Sequence, residues 1–277
     1  MVKRILSFAW RYFHALASAV YLFSIGFIFP RNRELINHMY AHFGTERLPN
    51  ALVPVVAASE LVANGLPIRV LEPDAVDGNI SVFELMMIAS LIQTLQPTRL
   101  FEIGTFDGRT ALNLAANSLP GATVFTLDLP PDSANSTLLP LDRLDANYIA
   151  NRPNGSRFAG TEYEKKIVRL WGDSATFDIS PFVGTMDLLF VDGAHSYQYA
   201  LQDSATALRL LRKDRGVILW HDYARRCWPG VTQALNELFA RGGVYRGLRR
   251  IEGTSLVCLA FGAQAGTLLG PVGEAVI

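Results

Sequence analysis

The sequence has 277 residues with 25 basic and 25 acidic side chains, so its formal net charge is zero. The overall charge therefore gives no argument for nucleic acid as a partner, and the length allows one large domain, alone or with an extension. The two cysteines, Cys227 and Cys258, show no metal-ligand spacing and predict free thiols in a reducing compartment.

The N-terminal segment differs from the rest of the chain. Residues 12–29 contain no Asp, Glu, Lys or Arg and are rich in aromatic and aliphatic side chains. A helix of that length rises about 27 Å, the lower limit for crossing the hydrocarbon of a bilayer. Basic residues flank the stretch on both sides: Lys3, Arg4 and Arg11 before it, Arg31 and Arg33 after it. Three interpretations stay open: a membrane anchor or interfacial helix, a helix packed on a partner subunit, or a helix of the main domain.

The segment that follows gives fewer signals. Residues 34–44 favour a helix, and residues 50–73 form a connector interrupted by prolines. Ser81, with Glu84 three residues later, is typical of a capping box and predicts the beginning of a helix. Its apolar positions recur on one broad face.

A short apolar stretch, residues 100–103, predicts a buried strand that leads into a turn with two glycines and then into a helical pattern. Such a turn lets the backbone approach a ligand closely. The spacing differs from G-x-G-x-x-G, and carboxylates flank the turn. Because negative charge disfavours a pyrophosphate, the pattern points away from NAD and toward S-adenosylmethionine (SAM), which carries an amino group and a sulfonium. A simple connecting turn is the alternative. The candidate cofactor-binding residues here are Glu102, Gly104, Thr105, Asp107 and Gly108.

A second predicted strand, residues 124–128, ends in Asp128, twenty-four residues beyond Gly104. An acid at this place in a strand–turn–helix–strand unit accepts hydrogen bonds from ribose hydroxyls. Asp128 is therefore a further candidate cofactor ligand, and a turn cap before Pro130 is its alternative role.

Four motifs in this order resemble class I SAM-dependent methyltransferases, most closely the branch with catechol-type and macrolide-sugar O-methyltransferases. They lie at residues 101–110, 172–174, 191–197 and 219–223. The resemblance implies an α/β, Rossmann-like fold, with a mostly parallel seven-stranded sheet, an antiparallel C-terminal strand and helices on both faces. A strand pair over 245–250 and 254–261 suits those final strands.

The resemblance also implies an enzyme that transfers a methyl group from SAM to a hydroxyl of a small molecule. In related methyltransferases the residues equivalent to Asp173 and Ser174 contact adenine, although Asp173 can equally cap the next short helix. We predict three parts: an N-terminal hydrophobic helix over 1–33, a helical and connector cover over 34–78, and a methyltransferase domain over 79–277. The domain is expected in the cytoplasm, with membrane association through the first part and the oligomeric state left open.

Acids at the ends of two further strands predict a cation site. Asp192 ends the strand over 186–192, and His221 and Asp222 end the next one. Neighbouring parallel strands lie about 4.8 Å apart, so Asp192 and Asp222 can share one divalent cation, with Mg²⁺ the first choice for carboxylate oxygens. It would chelate the acceptor and lower the pKa of its hydroxyl. Catechol-type relatives have Asp-Asn where this chain has His221-Asp222. His221 therefore favours a softer metal, or is a buried core histidine that binds none.

His195 lies three residues after Asp192, at the offset where catechol-type relatives carry a lysine base. A histidine with an ordinary pKa of about 6.5 can accept the proton of the acceptor hydroxyl. Alternatively it caps the next helix, and Asp192 is the second candidate base if no metal binds.

Residues 129–156 are rich in turn signals and predict a lid over the substrate, or a tolerated surface insertion. Arg143, Arg152 and Arg157, in or next to it, could meet an acidic substrate or stay solvated.

Two other functions compete with methyl transfer. One is an NAD-dependent oxidoreductase; the other is a membrane-associated protein of the same fold without transferase activity.

Overall fold

The computed structural model describes residues 2–33, 35–36, 50–63, 65–153, 156–212 and 214–262. The chain divides into two compact units, Met1–Arg47 and Leu48–Ile277. Most of the helix predicted over 34–44 lies outside the described residues.

The first unit begins with helix α1, Val2–Ser24, followed by a single 3-10 turn over Gly26–Ile28. Asn32 donates a hydrogen bond from Nδ2 to the carbonyl of Gly26 at 2.9 Å, which holds the chain after the turn. Within the described residues, no helix, α1 included, is both long enough and apolar enough to cross a membrane.

Among the described residues of the second unit, eight strands form one sheet, in the spatial order β1-β7-β8-β6-β5-β2-β3-β4. The strands are β1 Val55–Val56, β2 Arg99–Ile103, β3 Thr123–Asp128, β4 Ile167–Trp171, β5 Leu188–Val191, β6 Arg215–Trp220, β7 Arg249–Ile251 and β8 Val257–Gly262. All neighbours pair in parallel except β8, which is antiparallel to both β6 and β7. The mostly parallel sheet and the antiparallel C-terminal strand are therefore confirmed.

The sheet has one strand more than the seven predicted. Val55 and Val56 pair in parallel with Arg250 and Ile251 at the edge of the sheet. A two-residue strand in a proline-interrupted segment is too short to show a period in the sequence.

Helices cover both faces of the sheet, as predicted. They are α2 Ala58–Leu61, α3 Val82–Leu95, α4 Arg109–Asn117, α5 Arg143–Ala150, α6 Tyr197–Leu210 and α7 Pro229–Arg241. Alternate residues of the central strands enter two separate cores: Leu188 packs with α3 and α4, whereas Leu189 packs with α6 and α7. Because strand side chains alternate between faces, a strand that is apolar at every position is buried on both sides.

The polar side chains of α4 attach the cover segment to the domain. The side-chain amide of Asn113 accepts a hydrogen bond from the N–H of Leu71 and donates one to its carbonyl, at 2.8 and 3.0 Å. Asn117, four residues later on α4, forms the same pair of bonds with Arg69, both at 2.8 Å. Arg109, one turn earlier, donates to the carbonyls of Glu72, Pro73 and Ile80. All three α4 side chains are buried, and they bind the C-terminal end of the connector, residues 69–73.

The two halves of the sheet meet between β2 and β5. After β2 the chain forms β3 on one side of it and later β5 on the other side, so the direction in which strands are placed reverses at β2. Such a switch point opens a crevice at the carboxyl ends of the strands. Gly104 follows β2 with φ of +98°, and a Cβ added there would lie 2.0 Å from the carbonyl oxygen of Asp192. Only glycine lets these two strand ends approach so closely.

Candidate active site

A cavity of about 280 Å³ opens at the switch point, at the carboxyl ends of β2, β3, β5 and β6. The predicted site residues that line it are Gly104, Thr105, Asp107, Asp128, Asp173, Ser174, Asp192, His195, His221 and Asp222. The structure therefore brings together residues that are up to 118 positions apart in the sequence, from Gly104 to Asp222. Glu102 and Gly108 are the two predicted residues outside the lining.

Glu102 lies beneath the glycine turn rather than in the cavity wall. Its side chain is fully buried on β2 and accepts a hydrogen bond from Thr126 Oγ1 at 2.5 Å, and Thr126 in turn contacts the hydroxyl of Thr105 at 2.6 Å. Burial, reinforced by the charges of Asp192, Asp128 and Asp107, raises the pKa of Glu102 well above its ordinary value. Among the described residues its Oε1 finds no hydrogen-bond partner.

Asp107 occupies the N-terminal end of α4. Its Oδ1 accepts from the backbone N–H of Arg109 at 3.0 Å and from Asn79 Nδ2 at 3.1 Å, and its Oδ2 pairs with Arg157 Nε at 2.8 Å. Gly108, with φ of +80°, begins the helix. In dinucleotide-binding folds this helix end receives a pyrophosphate. Here a carboxylate of the chain fills that position.

Asp128 ends β3 at the cavity edge, with its carboxylate already bonded. Oδ1 accepts from the N–H of Leu129 at 3.0 Å, and Oδ2 forms an ion pair with Arg152. Burial raises the pKa of Asp128, although Arg152 and Arg169 oppose the shift. Arg152 and Arg157 thus pair with carboxylates of the domain itself. The sequence predicts that they meet either an acidic substrate or solvent, and the structure shows neither environment.

Asp173 joins three parts of the cavity wall. Its Oδ1 accepts from the hydroxyl of Tyr199 at 2.8 Å and from the N–H of Ala175 at 2.9 Å, while Oδ2 accepts from the N–H of Leu138 at 2.8 Å. Asp173 therefore caps a turn over residues 174–176 and not the predicted helix, and the predicted contact with adenine stays a prediction.

Asp192, His221 and Asp222 form a cluster whose ligand atoms lie within 4.8 Å of one another. The Nδ1 atom of His221 is 3.0 Å from Asp192 Oδ1 and 3.4 Å from Asp222 Oδ2. Burial would lower the pKa of His221, but the charges of Asp192 and Asp222 raise it well above its ordinary value. Asp222 has a φ of +62°, a left-handed conformation that Asp tolerates better than most residues.

The opposite side of the His221 ring faces Glu84. Nε2 lies 3.4 Å from Glu84 Oε2, and Glu84 also closes the capping box with Ser81, which confirms the predicted beginning of α3. A carboxylate behind a histidine orients the ring and fixes its tautomer in many metal sites. Two carboxylates, one imidazole and this supporting acid are a donor set that fits a divalent cation.

His195 lies beside this cluster and is held on three sides. Its Nδ1 is 2.6 Å from Asp145 Oδ1, and its backbone N–H donates to Asp145 Oδ2 at 2.8 Å. Nε2 is 3.1 Å from Asp222 Oδ2, and the ring stacks on Trp228 with centroids 3.8 Å apart. The neighbouring Ser196 provides the cap of α6, so the alternative capping role does not fall to His195.

The environment of His195 favours its charged form. Burial would lower the pKa of the ring, but hydrogen bonds to Asp145, Asp192 and Asp222 raise it well above the ordinary value. The carboxylate of Asp222 shows the opposite shift: burial would raise its pKa, but His221 and His195 lower it.

Comparison with known protein families agrees with this arrangement. Residues 101–223 match the family model described as a methyltransferase domain. This part of the chain, just under half of its length, is thus similar to a methyltransferase domain. The match begins in β2 and ends just after the His221-Asp222 pair, so it covers the glycine turn and both strand ends of the acidic cluster. The resemblance seen in the sequence is confirmed.

Comparisons with whole proteins are more distant. No curated protein matches this sequence. Among solved structures, the O-methyltransferase TomG of Streptomyces achromogenes, determined with SAM, has 19% identity and a TM-score of 0.44 over 67% of this chain and 83% of its own. The methyltransferase PaMTH1 of Podospora anserina, with bound S-adenosylhomocysteine, has 19% identity and a TM-score of 0.46 over 67% and 80%. An O-methyltransferase of Bacillus cereus has 17% identity and a TM-score of 0.45 over 67% and 83%.

Four side chains that contact the predicted site residues were not expected in those positions from the sequence: Glu84, Asp145, Arg152 and Trp228. Glu84 had a signal, the capping box, but that pattern indicates a helix start and not a histidine partner. Asp145 and Arg152 lie in the predicted lid, where polar residues are common and carry no spacing rule. Asp145 pairs with His195 and Arg152 pairs with Asp128, and each pair is separated by more than twenty positions in the sequence.

Proposed function

We propose that the domain transfers a methyl group from SAM to a hydroxyl of a small molecule. The observation that carries the proposal is the convergence of His195 with Asp192 and Asp222 beside the glycine turn of the methyltransferase domain. The reaction is an in-line displacement at carbon, so the placement of the acceptor oxygen contributes more than covalent catalysis.

The residues of the cavity fit SAM. Gly104, Thr105 and Asp107 would form the floor beneath it, Asp128 would face the ribose, and Asp173 with Ser174 would border the adenine. Bound SAM supplies an electrophilic methyl group whose sulfur leaves with the bonding electron pair. The acids that line the cavity favour a cationic ligand, and the carboxylate of Asp107 at the end of α4 opposes a pyrophosphate.

His195 is the proposed general base. Because Nδ1 faces Asp145 at 2.6 Å, the proton of the neutral ring belongs on Nδ1 and Nε2 is left to accept. Three carboxylates around the ring favour the imidazolium, and a cationic ligand beside them would weaken that preference. The Nε2 atom would then take the proton of the acceptor hydroxyl as its oxygen bonds to the methyl carbon.

We propose further that Asp192, His221 and Asp222 hold a divalent cation that polarises the acceptor hydroxyl. The two carboxylates suit Mg²⁺, and the imidazole nitrogen shifts the preference toward Mn²⁺, Fe²⁺ or Zn²⁺. The test is titration of the full chain with Mn²⁺, followed by electron paramagnetic resonance. Asp222→Asn should abolish tight binding and Glu84→Gln should weaken it about tenfold or more, whereas Asp178→Asn, an exposed acid elsewhere, should not. Equal affinity in all four proteins would refute the site.

SAM binding is the first test of the proposal as a whole. Calorimetric titration of the full chain with SAM, S-adenosylhomocysteine and NAD in parallel should give heat with the first two only. The Asp222→Ala variant should bind SAM with unchanged affinity. In a screen of hydroxylated acceptors it should no longer form S-adenosylhomocysteine, the product of methyl transfer. Heat with NAD and none with SAM would favour an oxidoreductase. SAM binding without turnover of any acceptor, under every metal tried, would favour a protein without transferase activity.

We also propose that the chain associates with a membrane through its N-terminal unit. The methyltransferase domain would then face the cytosol, where SAM is made. The apolar composition of residues 12–29 and the basic residues on both sides support this location.

A further inference from the structure

The charge of the chain is divided unevenly along its length. Residues 1–33 contain five Lys and Arg residues and no Asp or Glu, a net charge of +5. The whole chain is neutral, so the remaining 244 residues carry −5. A negatively charged surface would therefore attract the N-terminal segment and repel the rest of the chain.

Helix α1 has a narrow polar stripe along one side. Ser7, Arg11, His14 and Ser18 follow one another at intervals of four, three and four residues, which places them on one face of a helix. Ser18 Oγ lies 3.5 Å from His14 Nδ1 within this stripe. A helix with such a stripe is two-sided, unlike a spanning helix that is apolar all round.

The side opposite the stripe is apolar and exposed. Phe13, Leu16 and Val20 lie at intervals of three and four residues there, and are 65%, 52% and 65% exposed. Trp10, 72% exposed, lies at the border between the stripe and the apolar side. Monomeric soluble domains rarely leave a continuous apolar face uncovered, and an aromatic border is typical of helices that rest at a membrane interface.

We propose that α1 lies in the plane of an anionic lipid surface, with Phe13, Leu16 and Val20 toward the acyl chains and the polar stripe toward the headgroups. This defines the membrane contact of the proposed enzyme but does not depend on its chemistry. Within the described residues α1 does not meet the requirements of a spanning helix. Self-association through α1 would bring two such segments of like charge together, whereas anionic headgroups neutralise them.

Vesicle binding tests the lipid chemistry. The full chain should co-sediment with phosphatidylcholine vesicles that contain about one third phosphatidylglycerol, and less with phosphatidylcholine alone or at high salt. Arg11→Gln/Arg31→Gln should reduce the partition coefficient roughly thirtyfold, since each basic residue near the surface contributes about five- to sixfold. Arg241→Gln/Arg246→Gln removes the same charge from the second unit and should leave binding unchanged.

A second pair of variants tests the apolar face. Phe13→Ser/Val20→Ser should abolish binding, and Leu138→Ser, an exposed apolar residue of the second unit, should not. SAM titration of each variant serves as the folding control. Equal binding to both kinds of vesicle, or a salt-insensitive dimer that forms through α1 and does not bind vesicles, would overturn the proposal.

Spin labels distinguish a helix in the plane from a helix across the bilayer. In a Cys227→Ser background, a label at Ser18→Cys should stay accessible to a water-soluble nickel complex, and one at Val20→Cys should be accessible to oxygen within the acyl region. Depth should thus depend on the face of the helix. If depth instead follows position along the helix, with Ser18 and Val20 equally deep, α1 spans the membrane and the proposal is wrong.

Discussion

Replacing Gly104 with alanine tests how closely the ends of β2 and β5 must approach. The new Cβ would lie 2.0 Å from the Asp192 carbonyl oxygen and 2.6 Å from its carbon, both backbone atoms that no side-chain rotation can move. The φ of +98° adds strain of about 1–3 kcal/mol for any residue with a Cβ. Relieving the overlap requires a backbone shift at a cost of about 1–3 kcal/mol more. We expect Gly104→Ala to lose about 4 kcal/mol, a large part of a typical stability of about 5–15 kcal/mol.

Two other glycines separate these contributions. Gly160 has φ of +73° with nothing described within 4 Å of a new Cβ, and Gly121 has neither the positive φ nor a close neighbour among the described residues. In urea denaturation, Gly160→Ala should cost about 1–2 kcal/mol from strain alone, and Gly121→Ala should be neutral or slightly stabilising. If Gly104→Ala loses no more stability than Gly160→Ala, the close approach of the two strand ends is not what requires glycine.

The remaining predictions concern buried polar groups. Asn117→Ala removes the side chain that binds the N–H and the carbonyl of Arg69, and should lower the free energy of unfolding by about 1–3 kcal/mol in urea denaturation. Asn151 is exposed, so Asn151→Ala should change the free energy of unfolding by no more than about 0.5 kcal/mol. Burial raises the pKa of Asp203 from 3.8 to about 7. Between these two values the folded chain keeps a proton that the unfolded chain releases, so the stability should fall as the pH rises from about 4 to 7. Asp203→Asn should remove this contribution to the dependence of stability on pH. Asp145→Asn removes a charge beside His195 and should lower the pKa of its ring in an NMR titration, because a neutral partner stabilises the imidazolium less; an unchanged pKa would show that Asp145 does not govern this ring.

Much of the cavity edge could be predicted because the ends of strands can be recognised in a sequence. Apolar runs that stop at Asp128, Asp192 and His221-Asp222 mark the carboxyl ends of parallel strands, and such ends meet at one edge of a sheet. The Ser81 capping box was equally local, since all its atoms lie within one turn. Both kinds of signal depend on neighbours in sequence, and the structure places all of these residues as expected.

The attachment of the cover segment could not be predicted. Asn113 and Asn117 are polar side chains on one side of a helix, a pattern that usually indicates a face in contact with water. Here the same side is buried because each amide binds the backbone of a distant connector. The partners of Asp128 and His195 were hidden for the same reason, since a long-range pair in an irregular loop leaves no period to detect.

The carboxylate at the start of α4 has a consequence for selectivity in the cell. Adenine nucleotides and nicotinamide dinucleotides share the adenosine of the proposed methyl donor and are abundant where that donor is made. Each carries phosphates, and each would have to displace Asp107 from the backbone N–H of Arg109 to lie against this helix. The domain would thus reject its commonest competitors before any contact with the acceptor is made.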